Sequence, residues 1–332
     1  MGKKIAINGF GRIGRLTFRN LINQEGIEVV AINDLTDNKM LAHLLKFDSA
    51  HGPFEGTVEA TDDALIVNGK SIQATAERDP SKLNWADLGV DLVLECTGFF
   101  RTKEKASLHL KAGAKDVLIS APAQGGGVQT IVLGVNDHEL DRRHNVFSNA
   151  SCTTNCLAPT VKLLHDNYGI INGAMTTTHA YTADQRLQDA PHKDMRRARA
   201  AAYNIVPTTT GAASAIKAVI PDFGDRIFAI AIRVPVVTGS LVELNVNLEK
   251  TPDVAGVNAL FKKHAEGNMK GVLQYSTDPL VSSDIVRNKH SSIFDAPMTA
   301  VNGNMLKVVS WYDNEAGYSA RLSDLATLIV KG

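Results

Sequence analysis

The 332-residue chain is short of cysteine, of net charge and of long apolar runs, and each shortage removes a class of protein. Its three cysteines, Cys96, Cys152 and Cys156, do not make a disulfide framework in a chain of this length. Cys152 and Cys156 also lack the paired second half of a structural zinc site, so zinc is the weaker reading and no metal is expected. Lys+Arg and Asp+Glu are equal at 35 each, so no global field draws nucleic acid. The densest basic run, Arg196-Arg197-Ala198-Arg199, has the size of a solvated face or a small-anion site. No apolar stretch approaches the ~20 residues of a membrane span. The start, Met1-Gly2-Lys3-Lys4-Ile5, runs into a strand pattern without the apolar core of a signal peptide. Ala6 stands where a myristoylation signal places Ser or Thr. These absences imply no nucleic-acid or membrane partner, and a cytoplasmic location is the expectation.

What is present is ordinary for a globular protein: 44% apolar and 21% charged residues, with no repeat or low-complexity tract. The length is about twice the usual single-domain prior, which suggests two domains. Through the first half, strand-like and helix-like patterns alternate. Residues 4–8, 28–32, 91–96, 117–120 and 130–133 read as buried strands, and 12–23, 38–45 and 105–112 as helices. Asn68-Gly69 sits between two short apolar runs as a hairpin turn signal. This alternation predicts an α/β fold with a doubly wound, mainly parallel sheet of the Rossmann type over residues 1–150. Beyond Ser148 the strands 174–179, 226–235 and 240–248 are long, the last with one polar face, and predict an α+β domain over 151–314 whose sheet is largely antiparallel. Residues 184–203 read as an extended surface or interface loop. A closing helix in 315–332 is expected to complete the first domain.

Gly9-Phe10-Gly11-Arg12-Ile13-Gly14 follows a strand and opens a helix. Alone, G-x-G-x-x-G is weak. In this context its glycines permit a tight turn, close approach of a pyrophosphate to the backbone and tight helix–strand packing. Asp34 ends the second strand 20 residues beyond Gly14. A carboxylate there accepts from both adenosine ribose hydroxyls and repels a 2′-phosphate, which favours NAD over NADP.

Ser151-Cys152-Thr153-Thr154-Asn155-Cys156 sets a thiol among small hydroxyl residues just before a helix-like run. A cysteine in the first turn of a helix meets unpaired N–H groups and the positive dipole end, which predicts a thiolate nucleophile. A buried, inert thiol is the bland alternative. His179 lies 27 residues further on, at the end of a strand-like run, and an imidazole brought to the sulfur can hold a thiolate as an ion pair and then move protons. Arg233 at the end of an apolar strand suggests an anion partner, although a structural ion pair also fits. Thr208-Thr209-Thr210-Gly211 offers a phosphate cradle ahead of a helix, or a plain helix cap.

Together these segments, with His179-Ala180-Tyr181-Thr182 and Trp311-Tyr312-Asp313-Asn314-Glu315-Ala316-Gly317-Tyr318, resemble the glyceraldehyde-3-phosphate dehydrogenases of glycolysis, from Ile5 to the end of the chain. The resemblance implies oxidative phosphorylation of D-glyceraldehyde 3-phosphate to 1,3-bisphosphoglycerate with NAD and inorganic phosphate. Cys152 would form a thiohemiacetal and then a thioester, with His179 as base. It further implies that Thr182, Asp184, Arg197 and Arg233 hold the substrate phosphate, and that Ser151, Thr153, Thr210 and Gly211 hold the attacking phosphate. Gly9, Gly11, Arg12, Ile13, Gly14, Asp34, Arg78, Ser120 and Asn314 would bind the cofactor, Asn314 at the nicotinamide carboxamide. Family members assemble as homotetramers. Cys156 is treated in the family as non-nucleophilic, and Cys96 reads as a structural residue of a core strand.

Two departures stand out. Val236-Val237-Thr238 follows Val234-Pro235 where many members have Thr-Pro-Asn, and Asp189-Ala190-Pro191 replaces a common Leu-Pro pair. Pro191 and Asp34 still argue for NAD. The alternative reading is a sister enzyme, an erythrose-4-phosphate dehydrogenase, in which water resolves the thioester. A cysteine hydrolase would leave the dinucleotide fingerprint and Asn314 without a task, and a non-catalytic binding protein would have no need of Cys152 and His179.

Overall fold

The computed structural model describes residues 2–332, which divide into two compact units. The first holds the chain up to Ile131, His138–Ala150 and Ser319–Gly332; the second holds Val132–Asp137 and Ser151–Tyr318.

The first unit is built on β1 (Lys3–Asn8), α1 (Arg12–Leu21), β2 (Ile27–Asn33), α2 (Asn38–Lys46), β3 (Val58–Ala60), β4 (Ala64–Val67) and β5 (Lys70–Thr75). It continues with α3 (Trp85–Leu88), β6 (Leu92–Glu95), α4 (Lys103–Lys111), β7 (Asp116–Ile119), β8 (Gln129–Thr130) and β9 (Val146–Ser148). The nine strands form one sheet in the order β3-β4-β5-β2-β1-β6-β7-β9-β8. All pairings from β5 to β8 are parallel, and β3 and β4 add an antiparallel edge. Helices on both faces keep water from these strands, so Ile5, Ala6, Ile7, Leu92, Val93 and Leu94 are fully buried. Asn68 and Gly69 both take positive φ, 50° and 76°, as a two-residue hairpin between β4 and β5 requires. Successive crossovers leave β1 toward β2 on one side and β6 on the other. Their carboxyl ends therefore diverge into the crevice where doubly wound folds bind ligands.

The second unit begins with α5 (Cys152–Tyr168), β10 (Ile170–Ala180), β11 (Val206–Thr208), α6 (Ala212–Ile216), β12 (Ile227–Val234) and β13 (Ser240–Leu248). It continues with α7 (Val254–Glu266), β14 (Leu273–Ser276), β15 (Ser292–Asp295), β16 (Ala300–Asn302) and β17 (Met305–Tyr312). The main strand order is β11-β12-β10-β13-β17-β15-β14, with β16 paired to β17. The sheet is largely antiparallel, but β10 and β12 run parallel, as do β14 and β15. On β13, Ser240, Val242, Leu244, Val246 and Leu248 turn inward and the residues between them outward, the two-residue period of a half-covered sheet. Helix α5 covers the inward face against β13, β15 and β17. It runs on through Pro159 because its buried residues from Thr153 to Leu164 anchor it whatever one lost backbone bond costs. The last helix, α8 (Ala316–Lys331), starts in the second unit and continues as the final segment of the first.

Two expectations need correction. Only Gln129 and Thr130 of the run 130–133 and its flank are paired as a strand; Ile131 and Val132 are buried in irregular chain just before a turn, so their apolar character reports burial, not strand. Cys96 lies beyond the end of β6, half-buried, and not in the strand. Among the described residues no helix is long and apolar enough to cross a membrane.

Candidate active site

In the first unit a cavity of about 500 Å³ opens at the carboxyl ends of β1, β2 and β6. Asn8, Gly9, Gly11, Asp34, Arg78, Thr97 and Phe99 are among its lining residues. Gly9 has φ +92°, and a Cβ there would lie 2.7 Å from the Thr97 nitrogen. A Cβ at Gly14 would strike the Gly9 carbonyl, whereas one at Gly11 would meet nothing within 4 Å. Two glycines are thus needed for the turn itself, and the third leaves bare backbone facing open space. An anion at the start of α1 suits that arrangement. Asp34 accepts from the Phe10 N–H at 2.7 Å and the Thr36 N–H at 3.0 Å, and a carboxylate so held keeps lone pairs for further donors. Arg12 turns to Asp48, 3.1 Å away, and Ile13 lies on the first turn of α1. Ser120 follows β7 and donates its N–H to the Glu95 carbonyl.

A buried polar network unannounced by the sequence fixes this turn from below. Asn8 Nδ2 donates to Glu95 Oε2 at 2.6 Å, and Thr97 N–H to Glu95 Oε1 at 2.8 Å. The Trp85 indole donates to His109 Nδ1 at 3.1 Å, which leaves the ring proton on Nε2, 3.0 Å from Glu95.

The second unit brings Cys152, His179 and Arg233 together. Cys152 is the first residue of α5, capped by Ser151 Oγ, which accepts from Thr154 N–H at 3.0 Å. Ala150, just before the cap, takes φ +54°, an unusual conformation for a residue with a side chain. The Cys152 sulfur lies 3.5 Å from His179 Nε2. His179 and Arg233 face each other across the parallel β10–β12 pairing, with Arg233 Nη1 2.7 Å from His179 Nδ1. The Tyr312 ring packs edge-on against the imidazole at 5.8 Å, and its hydroxyl lies 2.9 Å from both Thr153 Oγ1 and Thr177 Oγ1.

Desolvation opposes the charges of this pair. Burial pushes the Cys152 thiol up, and the Arg233 charge and Thr153 hydrogen bonds only partly offset it. Burial, then the Arg233 charge, lowers His179 to about 3. Burial thus works against the charged form of each partner, while the Arg233 charge, the Thr153 hydrogen bonds and the helix N-terminus work for the thiolate. Cys156 is fully buried, its sulfur 3.7 Å from Ser292 Oγ, and burial raises it strongly. Cys96 is likewise raised by burial, to about 12.

The remaining predicted residues sort into two groups. Arg197 pairs with Asp184 and donates to Thr208 Oγ1 at 2.9 Å and to the Thr209 carbonyl at 3.1 Å. Thr182 N–H faces Gln185 Oε1 at 3.3 Å. Ser151 and Thr153 are engaged in the α5 cap and with Tyr312. Thr210 is not the cap of α6: Gly211 holds that place, and Thr210 Oγ1 accepts from Ala212 N–H. Asn314 is 5% exposed, and its Oδ1 accepts from Ser240 Oγ at 2.8 Å and Gly239 N–H at 3.2 Å. The backbone donor fixes which end of the amide is oxygen and leaves the NH₂ group to turn elsewhere. Tyr312, Thr177 and Ser240 were not named as site residues; Tyr312 lies in the Trp311–Tyr318 segment, and the signal for the other two was a buried hydroxyl on a sheet strand.

Residues 151–314 match the family described as glyceraldehyde 3-phosphate dehydrogenase, C-terminal domain, and residues 3–103 match its NAD binding domain. The chain is similar to glyceraldehyde-3-phosphate dehydrogenase 1 of Bacillus subtilis, 54% identical over 333 residues that cover 100% of this chain and 99% of the relative. It is 55% identical to the Mycobacterium avium glyceraldehyde-3-phosphate dehydrogenase over 339 residues, with 100% and 99% covered. The Thermotoga maritima enzyme is 55% identical over 331 residues, with 99% of each chain covered.

Proposed function

The chain belongs to the glyceraldehyde-3-phosphate dehydrogenase family, and from that premise we propose that it catalyses the NAD-dependent, phosphorylating oxidation of D-glyceraldehyde 3-phosphate to 1,3-bisphosphoglycerate. The observation that carries the reading is the 3.5 Å approach of Cys152 Sγ to His179 Nε2 on a site backed by Arg233. Cys152 adds to the aldehyde carbon, and its proton passes by way of His179 Nε2 to the former carbonyl oxygen, giving a thiohemiacetal and leaving the imidazole unprotonated. When bound, the nicotinamide supplies the hydride acceptor. His179 takes the hydroxyl proton as the thiohemiacetal becomes a thioester, and a ring lowered to about 3 is unprotonated and available for that task at neutral pH. Inorganic phosphate then attacks the thioester carbon, the C–S bond breaks, and Cys152 leaves as thiolate and takes back the proton that His179 gained in the oxidation step. Water must be kept from the thioester for the oxidation energy to be conserved in the acyl phosphate.

Gly9, Gly11, Gly14 and the start of α1 fit the dinucleotide phosphates; Asp34 fits the adenosine ribose, with Arg78 and Ser120 beside it. The Asn314 amide NH₂ is assigned to the nicotinamide carboxamide. Arg233, Arg197, Asp184 and Thr182 serve the substrate phosphate, and Ser151, Thr153, Thr210 and Gly211 the attacking one. A homotetramer in the cytoplasm is the assembly and location proposed. Leu187, Met195, Tyr203 and Phe228, each at least 82% exposed in the second unit, support burial between subunits.

The test follows reduced-cofactor absorbance with glyceraldehyde 3-phosphate and NAD, with and without inorganic phosphate. Turnover is expected to need phosphate and to fall about 10³-fold or more in Cys152→Ser. Sustained turnover without phosphate would transfer the assignment to the erythrose-4-phosphate enzyme. Full activity in Cys152→Ser would remove the covalent mechanism.

A further inference from the structure

Helix α1 carries three arginines, and they reach different places. Arg12 meets Asp48, and Arg19 donates to the Leu45 carbonyl at 2.6 Å and the Gly52 carbonyl at 3.0 Å. Arg15 turns back to the glycine turn, where its Nη1 donates to the Phe10 carbonyl at 2.8 Å. It is 8% exposed, its Nε is buried without a hydrogen-bond partner, and no carboxylate of the described residues pairs with it. Asp34 and Asp48 reach it only through their charge, and the charges of Arg12 and Arg19 work against them. Burying a cation against a single carbonyl is unfavourable for the ligand-free fold. Stability therefore does not account for a guanidinium under this turn.

The bond that Arg15 makes fixes one peptide plane. The Phe10 side chain needs no such anchor, for its ring is fully buried and meets Phe18 edge-on at 5.6 Å. The Gly9–Phe10 peptide is also held, its N–H by Asp34 at 2.7 Å and its carbonyl oxygen where a Gly14 Cβ would stand. What remains free to rotate is the Phe10–Gly11 peptide. Gly11 opposes that rotation little, having no side chain and open space where a Cβ would be. In a trans peptide the N–H and C=O point to opposite sides. A Phe10 carbonyl drawn to Arg15 thus turns the Gly11 N–H away from Arg15, and that N–H has no partner among the described residues. Gly11 itself lines the cavity. We propose that Arg15 is a positioning residue for the cofactor, locking this peptide with its N–H toward the diphosphate of the dinucleotide. The Gly11 N–H then joins the orphan donors of Arg12 and Ile13 in the first turn of α1, with the Arg15 charge behind them. The diphosphate brings the negative charge that the fold withholds from Arg15, so binding relieves a desolvation that the ligand-free protein carries.

This inference rests on the assignment of the glycine turn to the dinucleotide phosphates, and two ligands test them apart without turnover. Adenosine carries the ribose assigned to Asp34 and no phosphate; ADP-ribose adds the diphosphate. Both are titrated calorimetrically into the full-length protein, wild type and Arg15→Met. The variant is expected to bind ADP-ribose about 10- to 100-fold more weakly, the effect of a lost contact to a charged group, and to bind adenosine as the wild type does. Arg15→Lys keeps a cation and a donor, and is expected to recover part of the loss. Ligand-free Arg15→Met should melt with the wild type, since the charge it removes has no ion-pair partner to leave behind. Should it fail to fold, Arg15→Gln, neutral and too short for the Phe10 carbonyl, makes the same comparison. Unchanged affinity for ADP-ribose overturns the proposal. So does an equal loss for both ligands, which would make Arg15 a residue that only holds the fold. A wild type that binds ADP-ribose no more tightly than adenosine would place the diphosphate elsewhere, overturning the assignment of the turn and this inference with it.

Discussion

Among single residues, Tyr312 shows how a buried hydroxyl can aim a nucleophile. Thr177 donates its proton to the Leu241 carbonyl at 3.0 Å, so its oxygen is left to accept from Tyr312. The Tyr312 oxygen in turn accepts from Thr153. Burial keeps the phenol protonated, as this relay needs. The direction of every bond follows, Thr153 to Tyr312 to Thr177 to Leu241, and it ties the first turn of α5 to the strand that carries His179. Tyr312→Phe leaves the Thr153 donor and the Thr177 acceptor unpaired beside the reacting pair. The expected result is a kcat about tenfold lower with little change in KM, and a loss of about 1–2 kcal/mol in stability. Steady-state kinetics beside a thermal melt separate the two effects. Unchanged kcat in a destabilised protein would reduce Tyr312 to a packing residue.

At the scale of elements, the turn from β1 to α1 was legible because its chemistry is local. Three glycines at fixed spacing can be interpreted one by one: Gly9 for positive φ, Gly14 for the close carbonyl, Gly11 for open backbone. Gly9→Ala is expected to destabilise the protein by about 2–4 kcal/mol, from an unfavourable φ and a methyl against the Thr97 nitrogen. Gly11→Ala is expected to fold normally and bind NAD about tenfold more weakly, since its methyl enters the cavity. Urea unfolding and calorimetric titration check the pair; equal affinity in Gly11→Ala would place the pyrophosphate elsewhere. Less local elements were hidden. Helix α7 buries only Val257 and Phe261, too thin an apolar stripe to stand out, although Asp253 caps it. The strands β14 to β16 are three or four residues long and draw their stability from β17 and its neighbours, which no local pattern encodes. The parallel pairing of β10 with β12 was hidden for the same reason, and it alone sets His179 opposite Arg233.

For the whole molecule, the residue types of the site could be read from the sequence, but their desolvation could not. A helix N-terminus argues for a thiolate; the folded site adds a desolvation that local reading omits. That desolvation has a consequence for folding. His179 binds a proton near its ordinary 6.5 when unfolded and only near 3 when folded. Between those values the unfolded chain holds more protons, so stability is full above pH 6.5 and declines as pH falls. From pH 6.5 to 4.5 the expected loss is about 2–3 kcal/mol from this one ring. Carboxylates whose partners outweigh burial, such as Asp91 with Lys115 and Asp184 with Arg197, add their own losses only below their ordinary value of 3.8. The window above pH 4.5 therefore belongs to histidine. Urea midpoints measured at pH 7.0, 6.0, 5.0 and 4.5 should fall steadily in the wild type and far less in His179→Gln, which cannot take up the proton. Parallel slopes for the two proteins would mean that His179 titrates alike in both states, and that its neutrality in the folded site does not come from burial.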